Sequence, residues 1–205
     1  MGQYSAITPN AVVVLPVVPI PHLRQPPFKD RLPGPVFFRL EDMPDNATYP
    51  PMRHDWGEFV YSFSGVTELR TDGQHLVAPP HMGFWIPPEV PHVGFNRKAA
   101  AHFSAYIDTE LCGGMPARTC SLLVTPLLRA ILDSLRGNVF DGTVEQERLL
   151  RVMVDQLSCC TVTDSFVPES DDRILSRLLQ ALRDNPAHAR SNAQLAHAFG
   201  LSERT

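Results

Sequence analysis

Apolar positions along the 205-residue chain follow two rhythms, and the change between them falls near residue 125. The front part shows short apolar runs and strict alternation. Residues 36–40 form a short apolar run, and 58–64 alternate, with Phe59, Tyr61 and Phe63 on one face and Val60, Ser62 and Ser64 on the other. A period of two is the signature of a half-buried strand. Segments 66–71 and 74–78 flank Asp72-Gly73, a two-residue hairpin signal because both positions tolerate positive φ. Segments 84–86, 90–95 and 101–107 complete a series of short strands separated by turn residues, the pattern of a sandwich or barrel.

Behind residue 125 the period lengthens to that of a helix. Thr125-Pro126 reads as an N-cap followed by proline at the first helical position, and Leu127, Leu128, Ile131, Leu132 and Leu135 make one stripe that Gly137 ends. Thr143 and Gln146 have the spacing of a capping box, opening a second helix whose stripe is Leu149, Leu150, Met153, Val154 and Leu157. Residues 159–170 have no clear period and read as a linker. A third helix spans about 171–183, with Ile174, Leu175, Leu178, Leu179 and Leu182 expected inside. Ser191 and Gln194 form another capping box, opening a short helix with Leu195, Ala196 and Phe199 inward; Gly200 ends it and Ser202 is a fresh N-cap.

Composition sharpens this division. The 20 prolines, about twice the usual share, crowd residues 9–51 and 79–91, where they exclude long helices. A net charge of −4 argues against a surface that grips phosphate throughout, so any DNA contact is local. Cys112, Cys120, Cys159 and Cys160 form no C-x-x-C pair and read as free thiols of a reducing cytosol. The apolar run 11–20 has no preceding Lys or Arg, is broken by Pro16 and Pro19, and precedes no small-x-small cleavage site. No stretch reaches the ~18 apolar residues of a membrane span. The expectation is a soluble cytoplasmic protein without membrane contact.

The candidate chemistry rests on His54, Glu58 and His92, two imidazoles and a carboxylate, the ligand set of a divalent transition metal with open positions. Trp56, Tyr61, Phe63, Trp85 and Phe95 are candidates to line a pocket beside them.

The spacing around these residues resembles the two signature segments of the cupin superfamily. Glu58 is followed seven residues later by Gly65, and Pro87, Glu89, His92 and Asn96 fall at intervals of two, three and four. That resemblance covers about residues 36–110 and implies a double-stranded β-helix barrel with His54, Glu58 and His92 at its mouth. Met52 stands at the pattern's first histidine, His81 at the leading glycine of its second segment and Glu89 at the other glycine. A thioether replaces imidazole poorly toward Fe or Mn. What remains can bind a metal, take a small organic ligand or be a relic, and no cofactor is required.

Ala78-Pro79-Pro80, Trp85-Ile86-Pro87-Pro88 and Val90-Pro91-His92 resemble the sensor domains of AraC/XylS-family transcription regulators. The tail from Asn192 through Gly200-Leu201-Ser202 to Thr205 resembles that family's first helix-turn-helix. The resemblance implies a mainly β chain with C-terminal helices, divided into a Pro-rich arm (1–35), a cupin sensor barrel (36–110), a helical dimerisation region (111–160), a linker (161–170) and an incomplete helix-turn-helix domain (171–205). It implies a small-molecule effector in the barrel and a homodimer through some of Leu128, Leu132, Leu135, Leu149, Met153 and Leu157. It also implies promoter reading by the full-length parent alone, with Ser202 opening the recognition helix and Arg204 at an early base-reading position. The chain is expected to stop inside that helix and to lack specific DNA binding itself. The alternative is a metal-dependent cupin enzyme, a dioxygenase or isomerase; Met52 and the helix-turn-helix pattern favour the non-enzymatic regulator.

Overall fold

A computed structural model describes residues 22–23, 31–71, 74–138, 141–163, 170, 172–185 and 189–202. Eleven strands are assigned within them: β1 (His22–Leu23), β2 (Val36–Met43), β3 (Ala47–Thr48), β4 (Gly57–Ser64), β5 (Thr67–Thr71), β6 (Gln74–Ala78), β7 (Met82–Ile86), β8 (His92–Phe95), β9 (Ala100–Ile107), β10 (Cys120–Leu123) and β11 (Val162–Thr163). One sheet runs β1-β3-β8-β5-β6 and the other β11-β10-β7-β4-β9-β2. Pairing is antiparallel throughout except between β1 and β3. The two sheets enclose a jelly-roll barrel whose lower interior is filled by Val60, Leu69, Leu76, Phe84 and Ile86.

The alternation along β4 decides what lies on each side of its sheet. Glu58 pairs across to Tyr106 and Ile86, and Val60 to Ser104 and Phe84; these side chains point into the barrel. Phe59, Tyr61 and Phe63 point the opposite way, because successive strand residues face opposite sides. The turn after β4 needs Gly65, at φ +77, where a Cβ would meet the Ala99 carbonyl oxygen at 2.5 Å. The β5–β6 register, Thr71 opposite Gln74, matches the expected hairpin, although Asp72-Gly73 lies outside the described residues.

Helices α1 (Pro126–Arg136) and α2 (Val144–Ser158) cover the outer face of the six-stranded sheet. Thr125 caps α1 by accepting from the Leu128 N–H, with Pro126 in the first turn. Thr143 caps α2, but the expected reciprocal box does not close there. The Gln146 side chain instead accepts from the backbone N–H groups of Asp141 and Gly142, at 2.9 and 3.4 Å. Helices α3 (Arg173–Asp184) and α4 (Asn192–Phe199) pack on each other, and α4 carries the full Ser191/Gln194 capping box. It ends at Gly200 in the left-handed region, φ +69. No described helix is long and apolar enough to cross a membrane.

Several expectations need correction. The stripe proposed for a dimer contact is occupied inside the chain: Leu128, Leu132, Leu135, Met153 and Leu157 are at most 1% exposed, and Leu149 packs half-buried against the same cluster. Each such leucine contributes about 1.5–3 kcal/mol by leaving water, so the stripe is already spent on the monomer. The barrel sheet also outruns residue 110, since β10 pairs with β7, and β11, within the expected linker, pairs with β10. Within the expected arm, β1 pairs with β3. The α3 stripe is not buried: Leu175, Leu178, Leu179 and Leu182 are intermediate and Ile174 is 42% exposed, because the short α4 covers little of it.

Candidate ligand cavity and its polar corner

Between the sheets lies a cavity of about 240 Å³. The six-stranded sheet contributes Glu58, Val60, Ile86, His102 and Tyr106 to its wall, and the five-stranded sheet contributes Thr67, Leu69, His92, Gly94 and Phe95. The loop between β3 and β4 supplies Tyr49, Met52, His54 and Trp56. Most of the wall is apolar, and polar groups gather chiefly in one corner.

That corner is His54, Glu58 and His92. The Nε2 atoms of His54 and His92 lie 3.2 and 3.4 Å from one Glu58 carboxylate oxygen. Each ring is fixed from behind: Nδ1 of His54 donates to the Trp56 carbonyl at 2.8 Å, and Nδ1 of His92 donates to the Val90 carbonyl at 2.9 Å. A carbonyl only accepts, so both Nδ1 atoms carry hydrogen and both Nε2 atoms are turned to the carboxylate. Trp56 stacks on His54 with ring centroids 4.8 Å apart, and His92 meets His54 edge-on at 5.1 Å. The short loop is pinned by reciprocal backbone bonds between Met52 and His92, each 2.9 Å.

Electrostatics follow from this packing. Burial works to raise the Glu58 pKa, but the His54 hydrogen bond and the close approach of the His92 imidazole outweigh it and hold the carboxyl well below its ordinary range. Burial works to lower the His92 pKa, and the Glu58 carboxylate more than offsets it, leaving the imidazole raised. His102, fully buried and bonded to Ser104 Oγ at 2.9 Å, has no such partner and is pushed down to about 4 by desolvation. Burial raises Tyr49 and Tyr106 above the usual phenol range. Buried atoms without a hydrogen-bond partner include His92 Nε2, Trp56 Nε1 and Asn96 Oδ1, all on residues that line the cavity.

The expected site residues separate cleanly. His54, Glu58 and His92 come together, and Trp56 and Phe95 line the same cavity. Tyr61, Phe63 and Trp85 do not: they face the helices, buried with Leu128, Leu132 and Met153. Tyr61 and Phe63 lie an odd number of positions along the strand from Glu58, which puts them on the other side. Trp85 pairs with Phe59 and goes with them, its indole N–H donating to the Pro116 carbonyl at 2.8 Å. Ser202 is exposed just beyond Gly200, and Arg204 lies outside the described residues. Met43, Tyr49, Thr67, Leu69, Asn96, His102 and Tyr106 were not anticipated as lining residues. Alternation alone does not reveal Tyr106, which needs the β4–β9 register that sets it opposite Glu58.

As a donor set for a divalent cation the corner fits in type and spacing, with both rings held by carbonyls as metal-bound histidines usually are. The four-ligand set of the cupin pattern is not present, since Met52 stands at one of its positions and lines the same cavity.

A jelly-roll barrel with a cavity between its sheets and a helical layer on one sheet defines a cupin-like fold. The model of the AraC-like ligand-binding domain matches residues 34–199, and the chain belongs to that family. The solved structure of the AraC-like transcriptional activator CuxR is similar at 18% identity and a TM-score of 0.53, covering 83% of this chain and 68% of that one. Apo ToxT K231A from Vibrio cholerae strain SCE256 is similar at 7% identity and a TM-score of 0.49, covering 85% and 73%. A cupin superfamily protein from Desulfitobacterium hafniense DCB-2 aligns at 12% identity and a TM-score of 0.36, covering 38% of this chain and 72% of that one. Curated protein sequences give no match. The chain is thus a ligand-binding domain of AraC-type transcription regulators.

Proposed function

We propose that the chain senses a small-molecule effector in the barrel cavity and passes occupancy to a DNA-reading segment that begins in α4. The observation that carries this reading is a 240 Å³ cavity with an apolar wall and one buried polar corner. Small-molecule sites combine those features. An effector that fits has a compact apolar body, set against Val60, Leu69 and Ile86, and one polar head directed at His54, Glu58 and His92. Residues 192–202 support the DNA-reading role: a boxed short helix, a left-handed glycine and an exposed serine two residues on suit the turn that a helix-turn-helix requires. In the regulator containing it, Ser202 and Arg204 open the base-reading helix, and the role requires a cytoplasmic location. The regulator works as a homodimer. With the inner stripes taken, the contact falls on outward positions such as Leu127, Val144 and Val152, which are 54, 54 and 44% exposed.

Gly94 offers the test. A Cβ there meets only Tyr49 Cδ2, at 3.6 Å, so a larger side chain enters the cavity without disturbing the backbone. Compact amphipathic molecules screened by thermal shift are expected to raise the Tm of the wild type and not of Gly94→Phe. Ligands that stabilise both equally would refute the cavity as the effector site. The histidine–carboxylate corner is the observation favouring an enzyme instead; conversion of a screened ligand by the purified chain would establish that reading.

A further inference from the structure

Taking the barrel cavity as the effector site, on which this inference rests, we propose that the effector's polar head is a protonated amine and not a carboxylate or an alcohol. Hydrogen counting is the first reason. Nδ1 of each ring donates to a backbone carbonyl, Trp56 for His54 and Val90 for His92, so a neutral ring turns a bare Nε2 lone pair toward Glu58. Two imidazole lone pairs and a carboxylate oxygen, all acceptors, converge there. His92 Nε2 is buried without a hydrogen-bond partner, and among the described residues none donates to the second Glu58 oxygen. An alkylammonium head brings three hydrogens on one atom, an alcohol brings one and a carboxylate none.

Spacing suits the same head. The two Nε2 atoms lie 3.2 and 3.4 Å from one Glu58 oxygen, and the three acceptors fall within 4.8 Å of one another. Points so placed share a centre no more than about 2.8 Å from each, the length of a charge-assisted N–H hydrogen bond. Charge excludes an acid. Among the described lining residues Arg53 is the one Arg or Lys, and it is paired with Glu89 at 2.8 Å. A proton on one imidazole merely balances Glu58, and surplus positive charge needs both rings charged with their centroids 5.1 Å apart. A carboxylate head would meet Glu58, 4% exposed, with little water between them, whereas an ammonium gives that buried anion its partner. Tyr49, Trp56 and Tyr106 line the same cavity, and aromatic faces attract cations. Val60, Leu69 and Ile86 make the wall beyond the corner apolar, so the ligand class is a small primary amine with an apolar body.

Calorimetric titration of the full chain at neutral pH, with chelator present to keep metal ions out of the corner, is the measurement. The probes are matched: butyl, cyclohexylmethyl and benzyl bodies, each carrying an ammonium, a hydroxyl or a carboxylate. On at least one body the amine is expected to bind about tenfold or more tighter than its alcohol, with the acid weaker still. Glu58→Gln is expected to erase that preference and Gly94→Phe to abolish binding. The comparison of heads on the wild type stands whether or not the variants fold. Probes bound without preference for the amine, and blocked by Gly94→Phe, overturn the ammonium head while leaving the cavity as the effector site. Probes held equally by wild type and Gly94→Phe overturn both readings. An amine preference that survives Glu58→Gln, or no saturable binding of any amine at millimolar concentration, overturns the proposal as well.

Discussion

Among the described residues the barrel holds two buried carboxylate–imidazole clusters, one within the five-stranded sheet and one bridging the sheets across the cavity, and they are built to opposite ends. In the five-stranded sheet Glu68 accepts from His75 Nε2 at 2.7 Å on one oxygen and from Arg97 Nε at 2.9 Å on the other. Both oxygens are used, and the cation is a guanidinium that cannot give up its proton. In the cavity one oxygen of Glu58 faces two imidazoles at 3.2 and 3.4 Å, and among the described residues no Arg or Lys forms an ion pair with it. The first cluster is complete within the chain and holds strands together. The second has the same ingredients, a looser fit and an opening to the cavity, and is therefore where something from outside the chain belongs. Burial alone does not separate them, since Glu68 is 6% and Glu58 4% exposed; the presence of a permanent protein cation does.

Acid is the harshest way to test the comparison. Burial works to raise the Glu68 pKa, yet His75 and Arg97 bring it below the ordinary value, as the two histidines do for Glu58. Both carboxylates therefore take up their protons at lower pH than an ordinary glutamate does. His102 is different, because desolvation pushes its folded pKa down to about 4, below the ordinary imidazole value of 6.5. As pH falls the unfolded chain binds that proton first, so the stability present above pH 6.5 is lost on the way down to 4. The loss is on the order of 3 kcal/mol, and His102→Gln is expected to flatten denaturant midpoints across that window. An unchanged slope would remove His102 as the acid-sensitive group. His92 works the other way: its raised pKa gives a contribution that is full below 6.5 and fades as pH rises through the folded value.

Neutralising the carboxylates comes next in size. Glu68→Gln removes the carboxylate from the Arg97 pair, in which the Arg97 side chain is 37% exposed, so solvent screens part of the loss and the expected cost is about 2 kcal/mol. Glu58→Gln leaves two imidazoles that can be neutral, and its expected cost in metal-free buffer is below about 1 kcal/mol. Urea midpoints of the two variants check the order. A larger loss for Glu58→Gln than for Glu68→Gln would mean that the cavity corner, too, is a structural fixture.

How much of this was legible in the sequence depends on period and register. The helix starts at Thr125 and Ser191 were readable because capping and proline signals are local. So was the convergence of His54, Glu58 and His92, through its spacing pattern. The lining aromatics were not, although the parity of Tyr61 and Phe63 against Glu58 already set them apart. Trp85 required the β4–β7 register, which the sequence does not carry. Helix stripes show that a face is apolar without showing what covers it, and here the barrel's own Phe59, Phe103 and Leu122 cover α1 and α2. Strands β3, β10 and β11 escaped notice because two to four residues are too few to show a period.

The chain's 2 tryptophans sit on opposite sides of that sheet system, Trp56 in the cavity wall and Trp85 under the helices. Emission measured in Trp85→Phe, which leaves Trp56 alone, and in Trp56→Phe, which leaves Trp85 alone, locates the effector site directly. With a ligand that stabilises the wild type, the expected result is a saturable change in the Trp56 signal at the ligand's binding constant and little change from Trp85. A response carried by Trp85, with Trp56 silent, would contradict an effector bound inside the barrel.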